Sequence, residues 1–199
     1  MVQVNLFTNG LILTEPVINK LIDAGVNLVF SIDSPFKSKY ESIRKGAKFE
    51  NLIHNINLFN KIKKKKKSKI EISINMVVMK RNYKDIAFMI KFAQKYKFKT
   101  LLLSAIEGNL PDKNENFFNG KKDLAILREL SEKMDRLKKQ AKERGVSLFN
   151  HLPLKNDIKN DNIFNDNADC NLKENSFIAR CRLSEFLLLT KNVLRIADV

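Results

Sequence analysis

Three residues with the means to do chemistry, Ser31, Asp33 and Arg44, fall within one stretch of this chain, Asn27 to Gly46, NLVFSIDSPFKSKYESIRKG. The stretch opens on Leu28-Val29-Phe30, continuous in apolar residues as in a parallel-sheet strand covered on both faces. Ser31 and Asp33 alternate with Ile32, so their side chains leave the strand on one face, and Ser34-Pro35 turns the chain directly afterwards. A hydroxyl and a carboxylate are thereby set at the carboxyl end of a strand, where α/β folds bind ligands. Arg44 follows thirteen positions after Ser31, on a short helical stretch from which its guanidinium fork could meet a carboxylate or a phosphate. Plainer roles stand beside these. A strand-end hydroxyl bonds its own backbone, and an aspartate at such a place stabilises a turn.

The elements that must position these residues alternate along the chain. Val2 to Phe7 reads as a strand ended by Thr8-Asn9-Gly10. Thr14 then caps a helix with Pro16 in its first turn, Val17, Ile18, Leu21 and Ile22 on one face, and Gly25 at its end. After the Ser31 strand, a helix from Phe49 to about Lys67 leaves through five consecutive lysines, Lys63 to Lys67, which complement its dipole. Lys69 to Met79 is a third strand, with Ile70, Ile72, Ile74 and Met76 alternating with Glu71, Ser73 and Asn75. Asn82 is placed to cap a helix from Tyr83 to Tyr96. A fourth strand covers about Thr100 to Ala105, a charged amphipathic helix about Lys121 to Arg144, and Val146 to Phe149 a short last strand. Four strand–helix units in succession predict an α/β fold, a barrel or a doubly wound sheet. The domain is expected over 1–150, a polar Asn, Asp and Lys-rich linker over 151–175, and a strand-like extension over 176–199.

At 199 residues the chain is long enough for one domain with a sizeable core. No apolar run approaches the length that spans a bilayer, and the N-terminus lacks a basic region followed by a long apolar one, so a cytoplasmic protein with no membrane contact is expected. Two cysteines, Cys170 and Cys181, are too few for a disulfide framework or a four-cysteine cluster. The net charge of +15 raises the alternative of a small basic nucleic-acid-binding protein. Against it, Lys, Asn and Ile are abundant together, as an AT-rich coding sequence imposes, and no RNA-binding aromatic motif or zinc spacing is present.

The segments SIDSP, YESIRKG and FENLIHNINLF, preceded by LFTNGLILTEPVINKLIDAGV, resemble the later part of the barrel of radical S-adenosylmethionine (SAM) enzymes. The resemblance covers about residues 2 to 108 and implies a partial (β/α) barrel corresponding to the last four of the family's six units. It implies that Ser31 and Arg44 contact the amino-acid part of SAM. By the same resemblance Asp33 and the Thr8-Asn9-Gly10 strand end line the same mouth, and Asn75 approaches the ribose. A tight turn, for Thr8 to Gly10, and a polar residue on a half-exposed strand, for Asn75, are the plainer alternatives. The tail resembles the start of the SPASM extension of peptide- and protein-modifying members, in which Cys181 would be a cluster ligand. The family's 4Fe-4S cluster is held by a CxxxCxxC loop, and these residues contain none. The expectation is therefore a truncated radical SAM protein, inactive alone, or a non-catalytic partner completing a barrel with a separate N-terminal half. His54 and His151 have no sequence neighbours that suggest catalysis.

Overall fold

The computed structural model describes residues 4–106, 115–118 and 123–154. Within them the chain runs β1 (Asn5–Thr8), α1 (Glu15–Asp23), β2 (Asn27–Ser31), α2 (Lys37–Ile43), α3 (Phe49–Lys65), β3 (Ile72–Val77), a 3₁₀ turn at Tyr83–Asp85, α4 (Ile86–Lys95), β4 (Thr100–Ser104), α5 (Leu124–Glu143) and β5 (Ser147–His151). The five strands form one parallel sheet in the order β1-β2-β3-β4-β5. Consecutive parallel strands need crossovers, and right-handed crossovers that always step the same way put every helix on one face. The four strand–helix units read from the sequence are present, and the sheet is open among the described residues, as in a partial barrel.

Side-chain burial reports the one-sided cover. In β3 residues alternate strictly between buried and half-buried, with Ile72, Ile74 and Met76 inside, and β4 alternates in the same way. Leu28, Phe30, Leu101 and Leu103 continue that inner layer and pack with Ile56 and Phe59 of α3 and Ile90 of α4. Phe30 stands at its centre, edge-on to Phe59 at 6.4 Å and to Phe98 at 5.5 Å. Each such side chain contributes about 1.5–3 kcal/mol on leaving water. Val29, on the opposite face of β2, is also buried, although Ser31 and its register neighbour Ser73 on that face are only half-buried.

Local signals met the structure unevenly. Thr14 precedes α1 with extended backbone and proline in the first turn, but its hydroxyl makes no capping bond. Asn82 does not cap the helix that follows, as its side chain turns back towards the strand ends, and a 3₁₀ turn intervenes before α4. The cap the sequence reading passed over is Asp123, whose carboxylate accepts from the Ile126 N–H at the start of α5. β1 begins at Asn5 and includes Thr8, and β5 runs on to His151, after which Leu152 and Leu154 are buried. Packing thus continues past residue 150. The rest of 151–175 and all of 176–199, with Cys170 and Cys181, lie outside the described residues. Among the described residues no helix is long and apolar enough to cross a membrane.

Candidate functional site

Ser31 is the last residue of β2 and the register partner of Asn75 in β3. The pairing continues past the strand end, where the Ile32 N–H donates to the Asn75 carbonyl at 3.1 Å. Because Phe30, Ile74 and Met76 face the helices, Ser31 and Asn75 face the other way, onto the side of the sheet that no helix covers among the described residues. Ser104 at the end of β4 joins them, its hydroxyl donating to Asn75 Oδ1 at 2.6 Å. A half-buried row of two hydroxyls and an amide therefore lies across three adjacent strands at their carboxyl ends. Ser104 was not singled out in the sequence. The signal was its position at the end of the Thr100-Leu-Leu-Leu-Ser104 alternation, one strand over from Asn75.

Just beyond the strand ends lies a second, buried polar cluster. Asp33, Ser34, Asn82 and Asp85 are all buried, so each needs partners to offset its lost hydration. Asp33 Oδ1 accepts from the Val77 N–H at 3.1 Å, and Oδ2 lies 2.8 Å from Arg44 Nε. Nε makes no hydrogen bond of good geometry, so charge attraction is the larger part of the pair. Burial pushes the Asp33 carboxyl above its usual value, opposed by the Arg44 charge and the Val77 N–H. Asn82 donates to the carbonyls of Asp33 at 2.8 Å and Val77 at 2.9 Å and accepts from the Met79 N–H at 2.7 Å, tying the exits of β2 and β3 together. The Ser34 hydroxyl donates to Asp85 Oδ2 at 3.2 Å, and Lys39 of α2 pairs with the same carboxylate at 2.7 Å. Tyr40 is fully buried beside this cluster, its hydroxyl without a partner among the described residues. Burial pushes its pKa up, with Arg44 opposing and Asp33 adding to the shift.

Thr8, Asn9 and Gly10 form a tight turn in which their own side chains are used. The Gly10 N–H donates to Thr8 Oγ1 and the Leu11 N–H to Asn9 Oδ1, each at 3.0 Å. Thr8 is the register partner of Phe30 and so belongs to the helix-covered side, away from Ser31 and Asn75. Asn55 of α3 donates to the Gly10 carbonyl at 2.8 Å, which holds the turn against the helix. The structure thus brings Ser31 to Asn75 and Asp33 to Arg44, and sets Thr8 to Gly10 apart as a turn.

His54 and His151 are exposed. Among the described residues no three His, Cys, Asp or Glu side chains converge as a metal site would require, and the two cysteines lie outside those residues. An iron–sulfur cluster has no fit among the described side chains. A polar organic ligand has one in the row of Ser31, Asn75 and Ser104, which offers donors and acceptors on an uncovered face at the ligand-binding end of a parallel sheet.

No protein-family model and no curated protein sequence matches the chain. Solved structures do. Streptococcus suis SuiB bound to S-adenosylmethionine is similar over 74% of this chain and 32% of its own, with 19% identity and a TM-score of 0.54. Native anSMEcpe with bound AdoMet is similar over 75% of this chain and 40% of its own, with 17% identity and a TM-score of 0.55. SuiB bound to precursor peptide SuiA gives 18% identity and a TM-score of 0.52 over 74% of this chain. The chain spans about a third to two fifths of the length of these proteins. At such identities the likeness is one of fold: the five parallel strands and their one-sided helices are arranged as in part of SuiB and of anSMEcpe.

Proposed function

We propose that this chain contributes part of the wall of an S-adenosylmethionine site in a radical SAM protein that modifies a peptide or protein. The observation that carries the reading is the row of Ser31, Asn75 and Ser104 on the uncovered face at the carboxyl ends of β2, β3 and β4. Its support is the fold shared with two proteins solved with SAM bound, one of them also solved with a precursor peptide. Ser31 and Asn75 are the direct contacts in this reading. Arg44, with about a quarter of its side chain exposed, presents positive charge to the methionine carboxylate, and Asp33 positions it. Cys181, as a SPASM cluster ligand, belongs to the same reading. Neither of the two thiols stands in a CxxxCxxC loop, so in this reading the three ligands of the radical-generating cluster come from another polypeptide segment and these 199 residues alone make no 5′-deoxyadenosyl radical.

Ligand-observed NMR of the chain with SAM at millimolar concentration tests the wall itself. Weak binding is expected, with a Kd on the order of 1 mM or somewhat below, and it should be lost in Ser31→Ala and in Asn75→Ala. Saturation transfer of equal strength in the wild type and both variants would remove these residues from the site. No transfer in the wild type would remove the wall.

A further inference from the structure

The opposite end of the sheet carries a feature that the SAM reading does not use. Where β3, β4 and β5 begin, a basin of ≈ 290 Å³ is lined by Lys63, Lys69, Lys97, Lys99 and Arg144, with Glu71 as its one carboxylate. Among the described residues none of these five cations is held in an ion pair. Arg144 Nη1 donates to the neutral Gln94 at 3.0 Å, which orients the guanidinium without neutralising it. The lysine run Lys63 to Lys67, in which α3 ends at Lys65, divides here. Lys66 is engaged with Asp23 at 2.6 Å, whereas Lys63, one turn earlier, is half-buried against the basin, and burial lowers its pKa with Glu71 opposing.

Part of this charge has a structural use. Helices α3, α4 and α5 all end on this side, at Lys65, Lys95 and Glu143, and each C-terminus presents roughly half a negative charge. Three helix ends amount to about one and a half negative charges. Five cations less Glu71 leave a formal surplus of four, so dipole compensation accounts for well under half of it. Five like charges gathered round so small a volume repel one another, and a multivalent anion removes that repulsion while a monovalent one leaves most of it.

We propose that this basin is a binding site for a small polyphosphate group, with Lys63, Lys99 and Arg144 as its principal contacts. The guanidinium of Arg144 supplies planar, two-point recognition of phosphate oxygens and the lysines supply point charges. The basin has room for a chain of two or three phosphates and lies at the far end of the strands from Ser31 and Asn75, so the site is independent of any SAM binding.

The probe is inorganic tripolyphosphate, titrated calorimetrically into the full chain at 50 and 200 mM salt, with sulfate and a single-stranded RNA oligonucleotide as comparison ligands. One-to-one binding of tripolyphosphate is expected, tighter than sulfate by at least tenfold and weakened by salt. Arg144→Gln and Lys99→Gln should each weaken it about tenfold, and Lys45→Gln, on a surface away from the basin, should leave it unchanged. Far-UV circular dichroism melts of the variants establish that they fold. Absence of binding would overturn the proposal. So would equal weakening by Lys45→Gln, which would mark a diffuse charge effect, or RNA binding that is tighter than tripolyphosphate and insensitive to Arg144→Gln.

Discussion

Asp33 shows what burial does to a carboxylate with a single cation beside it. Arg44 and the Val77 N–H favour its charge, yet desolvation outweighs both and the folded state holds the proton more tightly than the unfolded chain, whose value is near 3.8. Stability from this group is therefore full below pH 3.8 and is lost as pH rises through the raised folded value, the reverse of a well-paired surface carboxylate. Asn in its place does not titrate. The stability of the wild type relative to Asp33→Asn should fall between pH 3.8 and neutrality, measured by urea unfolding of both proteins across that range. A difference that grows with pH would mean that the Arg44 pair dominates burial. Sequence reasoning found Asp33 and Arg44 because residue type and strand alternation are local signals. It could not find that Asp33 also takes the Val77 N–H, nor that Asn82 joins the two strand exits, because those contacts to Asp33 close over sequence separations of 44 and 49 residues.

At the scale of elements, the joint between β1 and α3 rests on Gly10. Its φ is +74°, and a Cβ there would lie 2.8 Å from Leu52 Cδ1 and from Phe30 Cδ1. Leu52 and Phe30 are both fully buried, so neither can yield cheaply. Gly10→Ala combines left-handed backbone strain with overpacking, an expected loss of about 3 kcal/mol. Gly25, at φ +69° after α1, has nothing within 4 Å of the same atom, so Gly25→Ala should lose only the backbone part, about 1 kcal/mol. Urea midpoints of the two variants measure the packing term by difference, and equal losses would show that Leu52 and Phe30 move aside. The turn itself was legible, since Thr-Asn-Gly after an alternating strand is strong turn chemistry. The strands were legible too, because Ile72, Ile74 and Met76 alternate with Ser73 and Asn75. Which face the helices would leave uncovered was not, because it follows from sheet order and crossover hand and is not a property of any one segment.

For the whole molecule, one-sided cover leaves the described sheet with two free edges and a bare face. β1 and β5 each pair on one side only among the described residues, and the bare face presents Phe149 with half its surface in water, while Val4 is as exposed beside β1. Unpaired strand edges with apolar neighbours are templates for association. The charge of +15 opposes it, but over a distance that salt shortens to about 8 Å at physiological ionic strength. These two terms scale differently. Contact along an edge is short-ranged and survives screening, whereas charge repulsion does not, so association should increase as salt is raised. Size-exclusion chromatography with light scattering is expected to show oligomers or aggregate at 0.15 M salt, diminished at low salt and diminished again in Phe149→Lys, which puts a charge on the bare face without touching the core. A monomer at every ionic strength, unfolding in a single cooperative transition, would instead mean that these 199 residues cover their own face. The wall assigned to SAM would then be closed from within, and the basic basin at the far end of the strands would become the stronger candidate for the chain's function.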